Sequence, residues 1–540
     1  MIDRDASMGP DGLARRDRDL IRNVLARYPE VRRVTLFGSR AMGTFGRGSD
    51  IDLALEGRDL DSSTLTRIAT ELEDSDLPYK VDLLLRDEQT EPKLEAHIRR
   101  HGKPFGWEQT TLGSLGDASR NAIVGGPFGS NLVSNDYADQ GVPVIRGQNM
   151  GFGRWVSGEF VFVSDAKADS LRANWARPGD VVFTQRGTLG QVAIVPGGPW
   201  ARYVVSQSQM KATIDPQKAD PHYVYYVFSN PSEKEYIAAN AIQTGVPHTN
   251  LTQLRCHPIF LPPLDEQRVI ASVLGALDDK IEQNRRTAQA LEQLARAIFR
   301  AWFVDFEPVK AKAAGATAFP SMPQPVFDAL PTRFVDSTIG PVPEGWEVKA
   351  IEHIATFLNG LALQKYPPRG DGSDLRVIKI AQLRKGSAEG ADWANTDVPD
   401  QYVVEDRDLL FSWSGTLEAE LWFGGKGALN QHLFKVTSSH FPQWFCLLWI
   451  QQHLPWFRAI AASKATTMGH IQRGHLQEAK VVVPTAQVMR AADEVLGTLF
   501  DLHAQVQVES RNLAQMRDFL LPNLLSGTVR IDATGAGNGG

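Results

Sequence analysis

Much of this chain is written twice, and that duplication limits its architecture more than any other feature. Gly106-Trp107-Glu108 opens one stretch and Gly345-Trp346-Glu347 opens another. Gly187-Thr188-Leu189 returns as Gly415-Thr416-Leu417, and Gln207 with Lys211 returns as Gln431 with Lys435. Pro221 and the apolar run Tyr223 to Phe228 match Pro442 and Trp444 to Trp449. Thr249-Asn250-Leu251 lines up with Gly469-His470-Ile471, and Pro263 with Pro484. The spacing between partners drifts by loop-sized amounts while the order holds. Ordered matches in this number are beyond chance, so two similar domains are expected.

Each copy has two parts. The first is mixed and strand-rich: Val142 to Ile145, Val181 to Phe183 and Val192 to Ile194 read as short strands bounded by Gly, Pro and Asp. The second is a long helical run. Asp265 to Phe306 places Ile270, Val273, Leu277, Ile281, Ala288, Leu291, Ala295, Ile298 and Trp302 at steps of three, four and seven. Gln487 to Leu521 does the same with Ala492, Val495, Leu499, Val506, Leu513, Met516 and Leu520. A run of ~40 residues is a rod of ~60 Å. A stripe that long needs a partner, and the other stripe supplies one, as an antiparallel coiled coil within the chain. The competing arrangement packs each helix on its own domain. Asn284 and His503 sit on the stripes, either fixing register or lying where the stripe drifts to solvent. Lys310 to Pro343 is rich in Ala, Pro and Gly and reads as a linker with turns; Asp532 to Gly540 reads as a flexible tail.

With 540 residues and ~150 per domain, three or four units are expected. The net charge of −6 excludes a chain that binds nucleic acid through bulk charge, though not one that reads DNA through a local patch. The two cysteines, Cys256 and Cys446, support neither a disulfide framework nor a cysteine zinc cluster. The charged N-terminus is no signal peptide, and Trp444 to Ile450 falls far short of the ~20 apolar residues that span a bilayer. A cytoplasmic protein without a membrane partner is expected.

The first hundred residues differ from the repeat. Val34 to Phe37 is an apolar strand running into a Gly38-Ser39 turn, and ten residues separate Ser39 from Asp50-Ile51-Asp52. Carboxylates two apart on a strand face the same side. Asp82, in the apolar segment Lys80 to Leu85, supplies a third. Oxygen ligands suit a hard cation such as Mg2+. Three carboxylates beside a Gly-Ser turn fit two-metal phosphoryl chemistry, with the turn's N–H groups holding phosphate.

This pattern resembles the minimal nucleotidyltransferases of the DNA polymerase β superfamily, with Arg40, Gly43 and Thr44 in family-like positions. The resemblance implies catalysis by Ser39, Asp50, Asp52 and Asp82, metal binding by Asp50, Asp52 and Asp82, and nucleotide binding by Gly38, Ser39 and Arg40. It further implies an NTP substrate, since members of this size often act as antitoxins that transfer AMP to a partner.

From Gly106 to about Ile531 the chain resembles the specificity subunits of type I restriction-modification systems. Leu261-Pro262-Pro263-Leu264-Asp265-Glu266-Gln267 resembles the entry into that family's first spacer helix. Phe299 to Pro308 resembles that helix's end, and Leu520 to Gly527 the end of the second. The second entry, Val483-Pro484-Thr485-Ala486-Gln487, lacks the acidic pair, which departs from symmetric partner contacts. The resemblance implies two target recognition domains, each reading one half of a bipartite asymmetric site in double-stranded DNA. It implies docking of methyltransferase subunits, two in number, and of restriction motor subunits. S-adenosylmethionine and ATP then act only through those partners, since the chain shows no methyltransferase, Walker or nuclease motif.

The expected layout is therefore α+β and multidomain. An α/β nucleotidyltransferase domain (1–105) precedes two α/β recognition domains (106–263 and 344–484). Spacer helices (264–308 and 485–526) form an antiparallel coiled coil, with a linker (309–343) and a tail (527–540). Candidate DNA contacts are Arg146, Gln148 and Asn149 after an apolar strand, Arg186 and Thr188 at the Gly187 turn, and His248 and Asn250 in the polar loop Thr244 to Asn250. Their counterparts are Lys379, Gln382, Ser414, Thr416, Thr466, Thr467 and His470, and Gly187 and Gly415 read as turn residues. The leading reading is a DNA-binding specificity subunit that directs adenine methylation and restriction, fused to a Mg2+-dependent nucleotidyltransferase. The alternative is a nucleotidyltransferase, antitoxin-like, with a DNA-binding address module.

Overall fold

The computed structural model describes residues 11–527 and 529, apart from positions 26, 29, 47, 58–59, 88–89, 106, 152, 244–245, 321 and 464–468. The chain divides into two compact units, Met1–Asp279 with Gln515–Gly540, and Lys280–Ala514. The boundaries fall inside the long helices, so the first unit joins the N-terminal domain, the first recognition domain and one end of each helix.

The N-terminal domain is a four-stranded sheet. Strands β1 (Val31–Phe37), β2 (Ile51–Gly57), β3 (Val81–Leu85) and β4 (Lys103–Pro104) lie in the order β3-β2-β1-β4. β2 runs antiparallel to β1 and parallel to β3. Ile51, Leu53 and Leu55 on β2 are fully buried, while Asp52 faces the other way and is half-buried, as strand alternation requires.

The duplication is visible in the sheets. In the first recognition domain Glu108–Thr111 pairs antiparallel with Pro258–Leu261; in the second, Glu347–Ala350 pairs with Lys480–Val483. A four-stranded sheet built around Val181–Thr184 and Gln209–Ala212 corresponds to one built around Leu409–Ser412 and Leu433–Thr437. The pairings Phe183 with Met210 and Phe411 with Phe434 keep the same register. Each domain also has a parallel strand pairing, Val144 with Val204 and Val377 with Ala428. One segment of the sequence alignment is corrected. Thr249 N donates to Gln185 O at 3.0 Å, and Ile471 N donates to Trp413 O at 3.0 Å. Thr249 therefore matches Ile471, not Gly469, because backbone pairing sets register more strictly than loop composition.

The long helices are Leu264–Phe299, 36 residues, and Ala486–Leu525, 40 residues. The first ends in a π-helical turn, Arg300–Val304. Their pairing is antiparallel within each unit. In the first unit Ile270 and Leu274 share a core with Leu521 and Leu524, and Asp278 accepts from Arg517 at 2.9 Å. In the second, buried Asn284 donates to Glu509 Oε2 at 2.8 Å, while Ala295 and Phe299 share a core with Ala492 and Leu496. Asn284 is thus a cross-helix polar contact. His503 instead turns its ring edge to Phe423 at 5.7 Å, and Met516 is exposed, since a strict heptad drifts around a 3.6-residue helix.

The segment read as a linker is packed structure. Val309, Val326, Phe327, Leu330 and Val342 are buried in the same core as Trp346 and Trp444. Lys312 Nζ donates to the carbonyls of Phe327, Asp328 and Leu330 at 2.7–2.9 Å, satisfying the end of the short helix Gln324–Asp328. The spaced apolar residues show no helical period because they plug a core one at a time. Among the described residues no helix is long and apolar enough to cross a membrane.

Candidate nucleotidyl-transfer site and nucleic-acid interface

β1 delivers the chain to the Gly38-Ser39 turn with Phe37 opposite Asp52. Asp52 in turn lies opposite Asp82 on the parallel neighbour β3. Register thus sets Asp52 beside both the turn and Asp82. Gly38 has φ 69°, and a Cβ there would lie 2.1 Å from Asp52 Oδ2, so only glycine fits. Asp50 is exposed just ahead of β2. Burial raises the Asp52 carboxyl above its ordinary value, and repulsion from Asp82 and Asp50 adds to it, opposed by Arg40 and Lys80. Lys80 Nζ holds Asp82 Oδ1 at 2.5 Å. Among the described residues no three His, Cys, Asp or Glu side chains are gathered closely enough to cage a metal ion. The sequence-predicted trio is therefore adjacent but open.

Arg40, expected at the nucleotide, is placed elsewhere. It is 1% exposed, and its guanidinium donates to the backbone carbonyls of Asp11, Ser49 and Asp50 at 2.7–3.1 Å while lying over the Tyr79 ring. A buried guanidinium needs all its donors satisfied, so this side chain braces the loop carrying Asp50.

Several candidate DNA contacts turn inward. Asn149 is fully buried; its Oδ1 accepts from Arg146 N at 3.0 Å, and its Nδ2 donates to the carbonyls of Ser157 and Glu159. Asn250 caps the helix Leu251–Arg255 through Gln253 N. Gln382 Oε1 accepts from Lys379 N, capping the helix Ile380–Lys385. Ser414 is buried, with Oγ 2.8 Å from His432 Nδ1. These short polar side chains close local turns, a role their type favours equally. Gln148 is exposed, with Nε2 donating to Glu159 O, and Arg146 lies over the Tyr137 ring. Lys379 is exposed and paired with Asp392.

What the fold does gather is one edge per domain. Arg186 bridges His248 in antiparallel fashion, and Ser414 bridges His470 in the same place of the second domain. Arg186 and Thr188 are exposed on the first edge, Thr416 on the second. Gly187 and Gly415 turn both loops with positive φ. Thr466 and Thr467 lie outside the described residues. An ion pair is duplicated as well, at the other end of the same strands. Lys211 Nζ meets Asp180 at 3.6 Å and Lys435 Nζ meets Asp408 at 2.7 Å, each lysine on the strand central to its sheet. The sequence repeat flagged the lysines; the aspartates lacked a distinguishing motif.

Comparison with known proteins finds two known families along this chain. Residues 19–106 match the family described as Polymerase beta, Nucleotidyltransferase, and residues 106–293 match the Type I restriction modification DNA specificity domain. The Type I restriction enzyme MjaIX specificity subunit of Methanocaldococcus jannaschii is 23% identical over 66% of this chain and 78% of its own length. The HindI specificity subunit of Haemophilus influenzae is 21% identical over 77% and 98%. The crystal structure of a type I restriction-modification S subunit from M. genitalium covers 78% of this chain and 96% of its own, with 16% identity and a TM-score of 0.45. The chain thus carries a polymerase-β-type nucleotidyltransferase domain followed by a DNA specificity domain. Its specificity region is similar to the type I restriction enzyme specificity subunits, and the nucleotidyltransferase domain precedes that region.

Proposed function

We propose that each recognition domain reads its own half of a bipartite site in double-stranded DNA, and that the chain brings two methyltransferase subunits and the restriction motor subunits to that site in the cytoplasm. One observation carries this: the same frame is built twice, with a histidine bridged at the same edge, and the position beside it is an exposed Arg186 in one copy and a buried Ser414 in the other. Different groups on equal scaffolds suit unlike half-sites. Adenine methylation with S-adenosylmethionine and ATP-driven cleavage belong to the partners. The test is exchange of residues 107–260 for the matching region of another specificity subunit, coexpressed with methyltransferase subunits, followed by methylation mapping. One half-site should change and the other persist; a change in both refutes two independent readers.

For the N-terminal domain we propose Mg2+-dependent nucleotidyl transfer from an NTP. The support is an all-oxygen donor set at Asp50, Asp52 and Asp82, with the Asp52 carboxyl pushed up by burial and then by its like-charged neighbours. When bound, Mg2+ would supply charge neutralisation at the transferred phosphate. Lys80 must release Asp82 for all three carboxylates to serve. Ser39 and the N–H groups at Gly38-Ser39, set beside Asp52 by the strand register, would hold the phosphates. Asp52→Asn should abolish labelling of an acceptor in cell extract by radiolabelled NTP and leave the methylated DNA site unchanged. Equal labelling by the variant refutes the assignment.

A further inference from the structure

The two recognition domains differ at one internal position, and the difference is a hole. In the second domain the helix Gln443–Ser463 runs unbroken after the buried run Trp444 to Ile450. It brings Phe457, fully buried, against Phe411 of the central strand, ring centroids 5.8 Å apart. In the first domain the strand residue matching Phe411 is Phe183, and the helix residue matching Phe457 is Tyr236. Asn230-Pro231 breaks that helix. Asn230 is extended, because a residue before proline is kept out of the helical region. The helix restarts as Pro231–Ala239, none of whose residues is buried, and Tyr236 is left 48% exposed. Where the second domain has Phe457, the first has a cavity of about 210 Å³ floored by Phe183, Met210 and Phe228.

We propose that this cavity receives one nucleobase unstacked from the DNA that the first domain reads, with Pro231–Ala239 as its lid. This rests on the DNA-reading function proposed above. A cavity of about 150 Å³ holds benzene, so the volume suits a single heteroaromatic base. Phe183 and Phe228 meet at 4.8 Å in an edge arrangement and offer an aromatic floor. The polar lining is mostly neutral amide and hydroxyl, from Thr184, Gln191, Asn240, Thr249 and Gln253, with the His257 imidazole beside them. Among the described lining residues none is Lys, Arg, Asp or Glu, which favours a neutral ring over a phosphate. The lid's polar tie to the floor is Glu233, whose Oε2 lies 2.8 Å from His257 Nε2. Thr249, in the wall, donates its N–H to Gln185 O, directly beside the Arg186–His248 edge. DNA held at that edge therefore has the mouth of the cavity next to it, and extrusion lets the wall read a base along its pairing edge.

The test uses the full chain in complex with its methyltransferase subunits. Duplexes carry 2-aminopurine at each position of both half-sites in turn, the methylated adenines excepted. The expected result is a several-fold fluorescence rise at one position, in the half-site assigned to residues 107–260 and nowhere in the other. Val192→Phe, which fills the cavity from its wall, and Asn240→Trp, an exposed residue at the mouth, should each abolish the rise. Asn240→Trp guards against misfolding by the buried change. A methylated site with no rise at any position, or a rise that survives both variants, overturns the inference while DNA reading stands. A complex that neither binds nor methylates any site overturns both.

Discussion

The clasp between the long helices in the first unit can be tested quantitatively. Asp278 has a side chain 8% exposed and receives two donors, Arg517 Nη1 at 2.9 Å and Tyr226 Oη at 2.7 Å. Arg517 is 29% exposed and also bonds Asp518 on its own helix. Arg517→Met removes the charge partner, keeps much of the stem's packing, and strands a buried carboxylate with one hydroxyl. Breaking a buried pair in this way costs about 3–5 kcal/mol, and partial exposure of Arg517 places this case at the lower end, ~3 kcal/mol. At 1.36 kcal/mol per tenfold that is roughly a hundredfold in the local opening equilibrium. A chain of several domains does not unfold in one step, so the assay is amide hydrogen exchange resolved to residues 515–525. Protection there should fall roughly a hundredfold. In Asp278→Asn the uncompensated charge is gone, so adding Arg517→Met should cost much less than it does alone. Protection within threefold of the parent chain in Arg517→Met, or full additivity in the double variant, would refute the clasp.

Three further outcomes follow from particular contacts. Gly38→Ala should eliminate nucleotidyl transfer and loosen β1 and β2, because the added Cβ meets Asp52 Oδ2 at 2.1 Å; labelling assays and exchange at 51–57 read both effects. Lys435→Met, which removes the charge partner of Asp408, should relax base discrimination in only one half of the methylated site, while Lys211→Met relaxes the other; relaxed discrimination in both halves from one change would contradict separate frames. Burial, with repulsion from Glu292, pushes the Glu420 carboxyl up to about 7 from 4.5. The folded state keeps this proton longer than the unfolded one, so the stabilisation is complete below pH 4.5 and is lost as pH rises through about 7. The side chain is still 41% exposed. Screening reduces the effect to about 1 kcal/mol. Glu420→Gln should therefore lose less exchange protection at 419–421 between pH 5 and 8 than the parent chain, and equal pH slopes would refute the assignment.

The duplication, the three carboxylates near the Gly-Ser turn and the two helical stripes were all legible as strings, because each rests on short-range rules. Turn glycines, helix periodicity and strand alternation are set by neighbours within a few residues. The inward rotation of Asn149 and Asn250 was not legible, since Asn serves a base edge and a backbone cap equally well and only the folded loop decides between them. Arg40 looked like a phosphate ligand until three backbone carbonyls from two loops closed around it. The apolar residues around Lys312 read as linker because core partners such as Trp444 arrive from distant parts of the chain. The helix break at Asn230-Pro231 was found in the structure. That the break leaves a cavity where Phe457 packs in the other copy appeared only when both strands, Phe183 and Phe411, were in register with their sheets. Local conformational preference thus specified the parts and their repetition. Burial, satisfaction of polar groups and the space left between packed elements depend on contacts far apart in the chain, and those came from the tertiary fold.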